Sequence, residues 1–89
     1  MTWKINFTTS AEKEFSKLPK NLKLSIKNYL QDKVQKEPRD FGKALVSSGS
    51  IKLWRYRIQN YRLICQIKDT EVTVLVVRIG KRDSVYKKI

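Results

Sequence analysis

Trp3, Ile5 and Phe7 are apolar and alternate with the polar Lys4 and Asn6, the period of a strand with one buried face. The period then lengthens. Thr9-Ser10-Ala11-Glu12 has the form of a capping box, in which a hydroxyl and a carboxylate satisfy free amides at a helix start. Ala11, Phe15 and Leu18 follow at helical spacing and predict a short helix. Pro19 ends it and suits the first turn of the next. Leu22, Ile26, Tyr29, Leu30 and Val34 form the apolar stripe of a second helix, with Lys20, Lys23, Lys27 and Lys33 mostly off that stripe. Glu37-Pro38 closes it, so residues 9–36 read as a helical hairpin. Residues 37–50 read as an irregular loop, broken by Pro38, Gly42 and Ser47-Ser48-Gly49-Ser50 and tucked in by Phe41, Ala44, Leu45 and Val46.

From Ile51 the period returns to two. Lys52–Ile58 and Tyr61–Ile67 flank Gln59-Asn60, the spacing of a tight hairpin. After a turn at Asp69-Thr70, Val72 to Ile79 is nearly all apolar, as in a strand covered on both faces, and Gly80 is expected to stop it. The tail Lys81–Ile89 follows. The expected fold class is α+β. An N-terminal strand, a helical hairpin and a three-stranded antiparallel meander form one sheet with the helices on one face. Residues 1–89 make a single domain, with no room for a second core.

Composition narrows the setting. No apolar run approaches the ~20 residues of a membrane span, and the N-terminus lacks a signal-peptide pattern. The one cysteine, Cys65, lies in an apolar strand pattern, which predicts core packing, no disulfide framework and a reducing, cytoplasmic compartment. Charge changes the picture more. The net charge is +12 and both halves are basic, which favours a polyanionic partner, most often nucleic acid. Five of the six arginines follow Trp54, namely Arg55, Arg57, Arg62, Arg78 and Arg82. Guanidinium is planar, always protonated, and grips a phosphate through two parallel hydrogen bonds.

A two-residue turn fixes where these arginines point. Ile58 pairs with Tyr61, Arg57 with Arg62, Tyr56 with Leu63, Arg55 with Ile64, and Trp54 with Cys65. Trp54, Tyr56, Ile58, Tyr61, Leu63 and Cys65 then share the core face, and Arg55, Arg57 and Arg62 the other. Like charges directly opposite in a sheet repel, so three arginines there make sense if an anion neutralises them. The same register carried onto the third strand would bury Arg78, so a bulge or slipped turn is expected. Arg82 falls just past that strand. Arg62 and Arg82 are both expected to be largely exposed.

The chemistry open to this face is limited. The chain has no histidine, and its eight carboxylates are scattered, so neither a metal site nor a cofactor is expected. A cationic site can still cut RNA, because the 2′-hydroxyl attacks its own neighbouring phosphate once oriented and the transition-state charge is stabilised. A lysine within a cationic cluster has its pKa lowered by its neighbours and can act as base. Tyr86 can stack on a base or contact the hydroxyl.

The order strand, helical hairpin, loop, three strands resembles the RelE/ParE superfamily of bacterial toxins over nearly the whole chain. The motifs that carry the resemblance are Leu53-Trp54-Arg55-Tyr56-Arg57-Ile58-Gln59-Asn60-Tyr61-Arg62-Leu63 and Val77-Arg78-Ile79-Gly80-Lys81-Arg82-Asp83-Ser84-Val85-Tyr86. The RelE branch implies a ribosome-dependent mRNA endonuclease that cuts the codon in the A site. It also implies a cognate antitoxin that holds the toxin inactive, and a toxin–antitoxin complex that binds operator DNA. By position, Arg62 and Arg82 match the catalytic arginines and Tyr86 the tyrosine that stacks on the substrate base. Arg55 matches a basic RNA-contacting residue, with Arg57 beside it. Where the family has a lysine credited with general-base work, this chain has Leu53, which leaves Lys52 and Lys81 as candidates for the base. Two other readings fit the same fold: a ParE-like toxin acting on DNA gyrase, and a non-catalytic RNA-binding member.

Overall fold

Lys4–Phe7 forms β1, with Ile5 and Phe7 turned towards the core and Lys4 and Asn6 exposed, as the alternation predicts. The structure is a computed structural model and describes residues 2–45 and 53–81. Thr8 both ends β1 and starts the first helix, α1 (Thr9–Ser16): its Oγ1 accepts from the Ala11 amide at 3.1 Å. The cap therefore falls one residue before the expected Thr9. Thr8 is held there because its amide and hydroxyl also donate to the carbonyls of Val76 and Val77, at 3.0 and 3.1 Å. With the cap at Thr8, Glu12 is out of register for the reciprocal bond of a capping box.

After Pro19 comes α2 (Lys20–Tyr29), which runs on through one wide π-helical turn, Leu30–Val34, closed by the Gln35 amide on the Leu30 carbonyl at 2.8 Å. Leu22, Ile26, Leu30 and Val34 are all buried, so the predicted stripe faces the core throughout. Gln35 ties the end of this hairpin to the start of β1: its carbonyl accepts from the Trp3 amide at 2.8 Å, and its side chain donates to the Trp3 carbonyl at 3.1 Å.

The loop after the hairpin is not wholly irregular. Lys43–Leu45 forms a short edge strand, β2, antiparallel to β3 (Leu53–Ile58). Two buried-side anchors bring it there: the Tyr56 hydroxyl donates to the Pro38 carbonyl at 2.6 Å, and the Trp54 indole donates to the Phe41 carbonyl at 2.7 Å. Gly42 completes the approach with a φ of 71°, where any Cβ would collide with the carbonyl oxygen of Arg55. The expected Val46 contact and the Ser47–Ser50 breakers lie outside the described residues. Tyr56 is fully buried. Tyr56→Phe leaves the Pro38 carbonyl without its donor and is expected to cost about 1–3 kcal/mol. Chemical denaturation measures this, and unchanged stability would show that the bond does not anchor the loop.

β3 turns into β4 (Tyr61–Lys68) through Gln59-Asn60, and the register from Ile58↔Tyr61 to Trp54↔Cys65 is the expected one. The first turn residue, Gln59, takes a φ of 54°, which supplies the hairpin twist that a glycine usually provides. A 3₁₀ turn, Asp69–Glu71, leads to β5, Thr73–Lys81. This strand does not stop at Gly80, because β4 stays paired with it as far as Tyr61↔Lys81. The expected bulge is present: Ile64 pairs with Arg78 but Cys65 with Val76, so Val77 is the extra residue and Arg78 leaves the core face.

The sheet has five strands in the order β1-β5-β4-β3-β2, with β1 parallel to β5. Helical Ala11, Ile26 and Val34 pack on Tyr56, Leu63, Cys65, Val74, Val76 and Ile79 in one core. Cys65 is fully buried, and burial pushes its thiol up, away from any reactive thiolate.

Candidate nucleic-acid interface

The face of the sheet turned away from this core is cationic by construction. Cross-strand pairing sets Lys43 opposite Arg55, and Arg57 opposite Arg62. Arg78 and Arg55 flank Ile64 from β5 and β3. None of the residues at these positions is acidic. Strand period alone could place Arg55, Arg57 and Arg62 together. Lys43 was missed because β2 carries no hydrophobic period, yet it stands directly beside them.

The neighbouring cations are spoken for. Arg78 lies 3.7 Å from Glu14 on α1, whose other oxygen accepts from the Ile79 amide at 3.0 Å. β1 ends at Phe7, so this carboxylate covers the β5 edge that β1 no longer pairs. Arg39 forks onto Asp69 at 2.7 and 2.8 Å and fastens the segment after α2 to the β4–β5 turn. That hydrogen bond lowers the Asp69 pKa and raises that of Arg39, although both groups are well exposed.

Arg62 departs from expectation. It is only 4 % exposed, whereas a sheet-face arginine was expected to be largely in solvent. β4 is an interior strand, so Arg62 has Arg57 on one side and Gly80 on the other. No buried side-chain nitrogen or oxygen among the described residues lacks a hydrogen-bond partner, and Arg55 and Arg62 both interact within the chain. Arg62 is thus a positioned charge more than a searching one. Arg57 is exposed and Arg55 half-buried.

Leu53, which the resemblance set at the position of a lysine, shares the arginine face and is half-buried. Lys81, an expected candidate for the base, pairs with Tyr61 at the end of β5, so strand parity sets it on the opposite face from Arg62. The expected Lys52, Arg82 and Tyr86 lie outside the described residues. Among the described residues, no three carboxylate, histidine or cysteine side chains come together as a metal site. No described helix is long and apolar enough to cross a membrane.

Known proteins resemble the chain throughout its length. A family model described as the ParE toxin of the type II toxin–antitoxin system parDE matches residues 5–86. Toxin RelG of Mycobacterium tuberculosis is 28% identical over 90 residues, covering 99% of this chain and all of that protein. The toxin–antitoxin complex RelBE2 of M. tuberculosis contains a chain that superposes with a TM-score of 0.82 at 27% identity, over 92% of this chain and 93% of that one. A mutant of Escherichia coli toxin RelE in complex with a peptide of antitoxin RelB matches at 0.73 and 30% identity, over 99% and 94% of the two chains. The five-stranded sheet with its helical hairpin on one face and these matches agree: the chain belongs to the ParE toxin family of type II toxin–antitoxin systems, within the RelE/ParE superfamily.

Proposed function

We propose that this toxin is a ribosome-dependent mRNA endonuclease of the RelE kind that cuts translated mRNA in the A site. One observation carries the reading: Lys43, Arg55, Arg57 and Arg62 stand in two cross-strand pairs of like charge on one sheet face. Each such pair costs stability unless an anion lies between the charges. The RNA backbone offers that anion at a spacing that several cations can follow.

In the proposed reaction the 2′-oxygen attacks the adjacent phosphorus and the bond to the next 5′-oxygen breaks. The attacking hydroxyl loses its proton and the leaving oxygen gains one, so no metal is required. Arg62, preorganised by its burial, stabilises the charge that builds on the phosphoryl oxygens. Arg55 and Arg57 hold the strand. Arg82 adds a second charge, and Tyr86 stacks on the base. The base is Lys52 or Lys81, and Lys81 lies by strand parity on the opposite face from Arg62.

Such a site is strong in charge and weak in proton transfer, which is why the ribosome enters. Ribosomal RNA can hold the mRNA bent, with the 2′-oxygen in line for attack. Cleavage of naked RNA is expected to be slower by at least about 10²-fold than cleavage on programmed ribosomes, since small errors in orientation cost that much. Equal rates on the two substrates would refute the ribosome dependence.

The partner is a cognate antitoxin, as in the RelBE2 and RelE–RelB peptide structures of the relatives. Its carboxylates offset the charge of the arginine face, and operator DNA is bound only by the toxin–antitoxin complex. The toxin acts in the cytoplasm, where ribosomes are. A second reading, inhibition of DNA gyrase, is favoured by the parDE description of the matching family and is tested alongside the first.

A further inference from the structure

β5 outruns β1. The parallel ladder between them ends at Phe7↔Val76, while β5 continues to Lys81. Past Val76 the strand has β4 on one side, through Leu63↔Ile79, Arg62↔Gly80 and Tyr61↔Lys81. Among the described residues it has no strand on the other. Backbone groups on that open side still need partners, and α1 supplies them. Thr8, the cap of the helix, donates its hydroxyl to the Val77 carbonyl at 3.1 Å, and Glu14 Oε1 accepts from the Ile79 amide at 3.0 Å.

We propose that Glu14 is a positioning residue for the reacting centre: its carboxylate fixes the far end of β5, and with it Gly80 beside Arg62. The inference rests on the RNA-cleaving reading above and adds a residue that reading does not use.

The coupling runs through the backbone. Ile79 directly precedes Gly80, the cross-strand partner of Arg62. A strand end paired on one side only is free to shear, whereas here it is also bonded to a charged acceptor, one of the stronger kinds of hydrogen bond. Arg62 is 4 % exposed, so its guanidinium follows the backbone packed around it. Two residues after Gly80 the sequence reaches Arg82, so the same bond sets where the chain leaves the sheet towards that residue. A misplacement of about 1 Å, caused far from the reacting atoms, can cost about 10²-fold in rate.

Glu14 is itself anchored. Its helix is fastened by the Thr8 cap, by the fully buried Ala11, and by Phe15, whose ring stands edge-on to Phe7 with centroids 5.6 Å apart. The Glu14 side chain is only 23% exposed, so little water competes for the Ile79 amide. Its other oxygen lies 3.7 Å from the Arg78 guanidinium, beyond hydrogen-bond reach but close enough for that charge to hold the carboxylate in place. A carboxylate repels phosphate, so Glu14 acts through the strand and not on the RNA.

The test uses the full chain with three variants. Glu14→Met keeps the stem without an acceptor, Glu14→Gln keeps an acceptor without the charge, and Glu12→Gln is the control for an exposed carboxylate on α1. Amide exchange of Ile79 and the rate on programmed ribosomes, normalised to folded protein, are measured together. In Glu14→Met, Ile79 is expected to exchange at least about tenfold faster, and kcat to fall about tenfold with KM within about twofold, the signature of lost orientation. Glu14→Gln should return kcat to within about threefold of the parent, because an amide oxygen accepts the same bond with less strength. Glu12→Gln should change neither measurement. Should Glu14→Met fail to fold, Glu14→Ala takes its place, and failure of both would make the contact structural and overturn the proposal. Faster Ile79 exchange with unchanged kcat, a change in KM alone, or unchanged exchange would overturn it too. So would equal loss of kcat in Glu14→Met and Glu14→Gln, or an equal loss in Glu12→Gln. Wild-type protein that does not cut on programmed ribosomes would overturn the RNA-cleaving reading, and this inference with it.

Discussion

Arg62→Ala is expected to lower cleavage on programmed ribosomes by about 10²–10³-fold, the usual effect of removing one preorganised charge from a phosphoryl or oxyanion site. The reason is structural. Arg62 is 4 % exposed on an interior strand, and its position is fixed by neighbours before any RNA arrives. The same burial has a second consequence. Arg62 is buried and interacts within the chain, so removing its guanidinium should lower stability by about 1–3 kcal/mol. Activity must therefore be normalised to folded protein. Arg62→Lys separates the two effects, because it keeps the charge but not the bidentate fork. It should recover stability more than rate. Full activity in Arg62→Ala, or parallel recovery of both in Arg62→Lys, would remove Arg62 from the reacting centre.

Ile26→Ala is expected to have the largest effect on stability. Ile26 is fully buried on α2, at the centre of the helix-on-sheet core. Removing its methyl and methylene groups costs transfer free energy and leaves a cavity, together about 2–5 kcal/mol. A domain of this size has roughly 5–15 kcal/mol in total, so the midpoint of thermal unfolding should fall by at least about 10 °C. Leu24, on the same helix but 59% exposed, provides the comparison. Leu24→Ala should stay within about 0.5 kcal/mol of the parent. Similar losses at both positions would mean that α2 is not seated as described.

The hairpin register was legible because parity and burial agree along both strands. A slip of one residue would have put either Arg57 or Arg62 into the core. The bulge was legible for the same reason: burying Arg78 costs more than breaking the ladder once. β2 was not legible. Lys43-Ala44-Leu45 is short and mostly exposed, and what holds it is the distant pairing of Tyr56 with Pro38 and Trp54 with Phe41. Thr8 and Thr9 offer the same hydroxyl, and only the edge of β5 chooses between them. The burial of Arg62 escaped too. Strand period says which face a residue occupies, not how deeply it is covered there.

The central claim is that the cationic face acts on translated mRNA. Primer extension on cellular transcripts after induction of the toxin, run beside a gyrase supercoiling assay, tests it most directly. The expected result is new 5′ ends inside translated codons, lost in Arg62→Ala, with supercoiling unaffected. Intact transcripts together with inhibited gyrase would contradict the account.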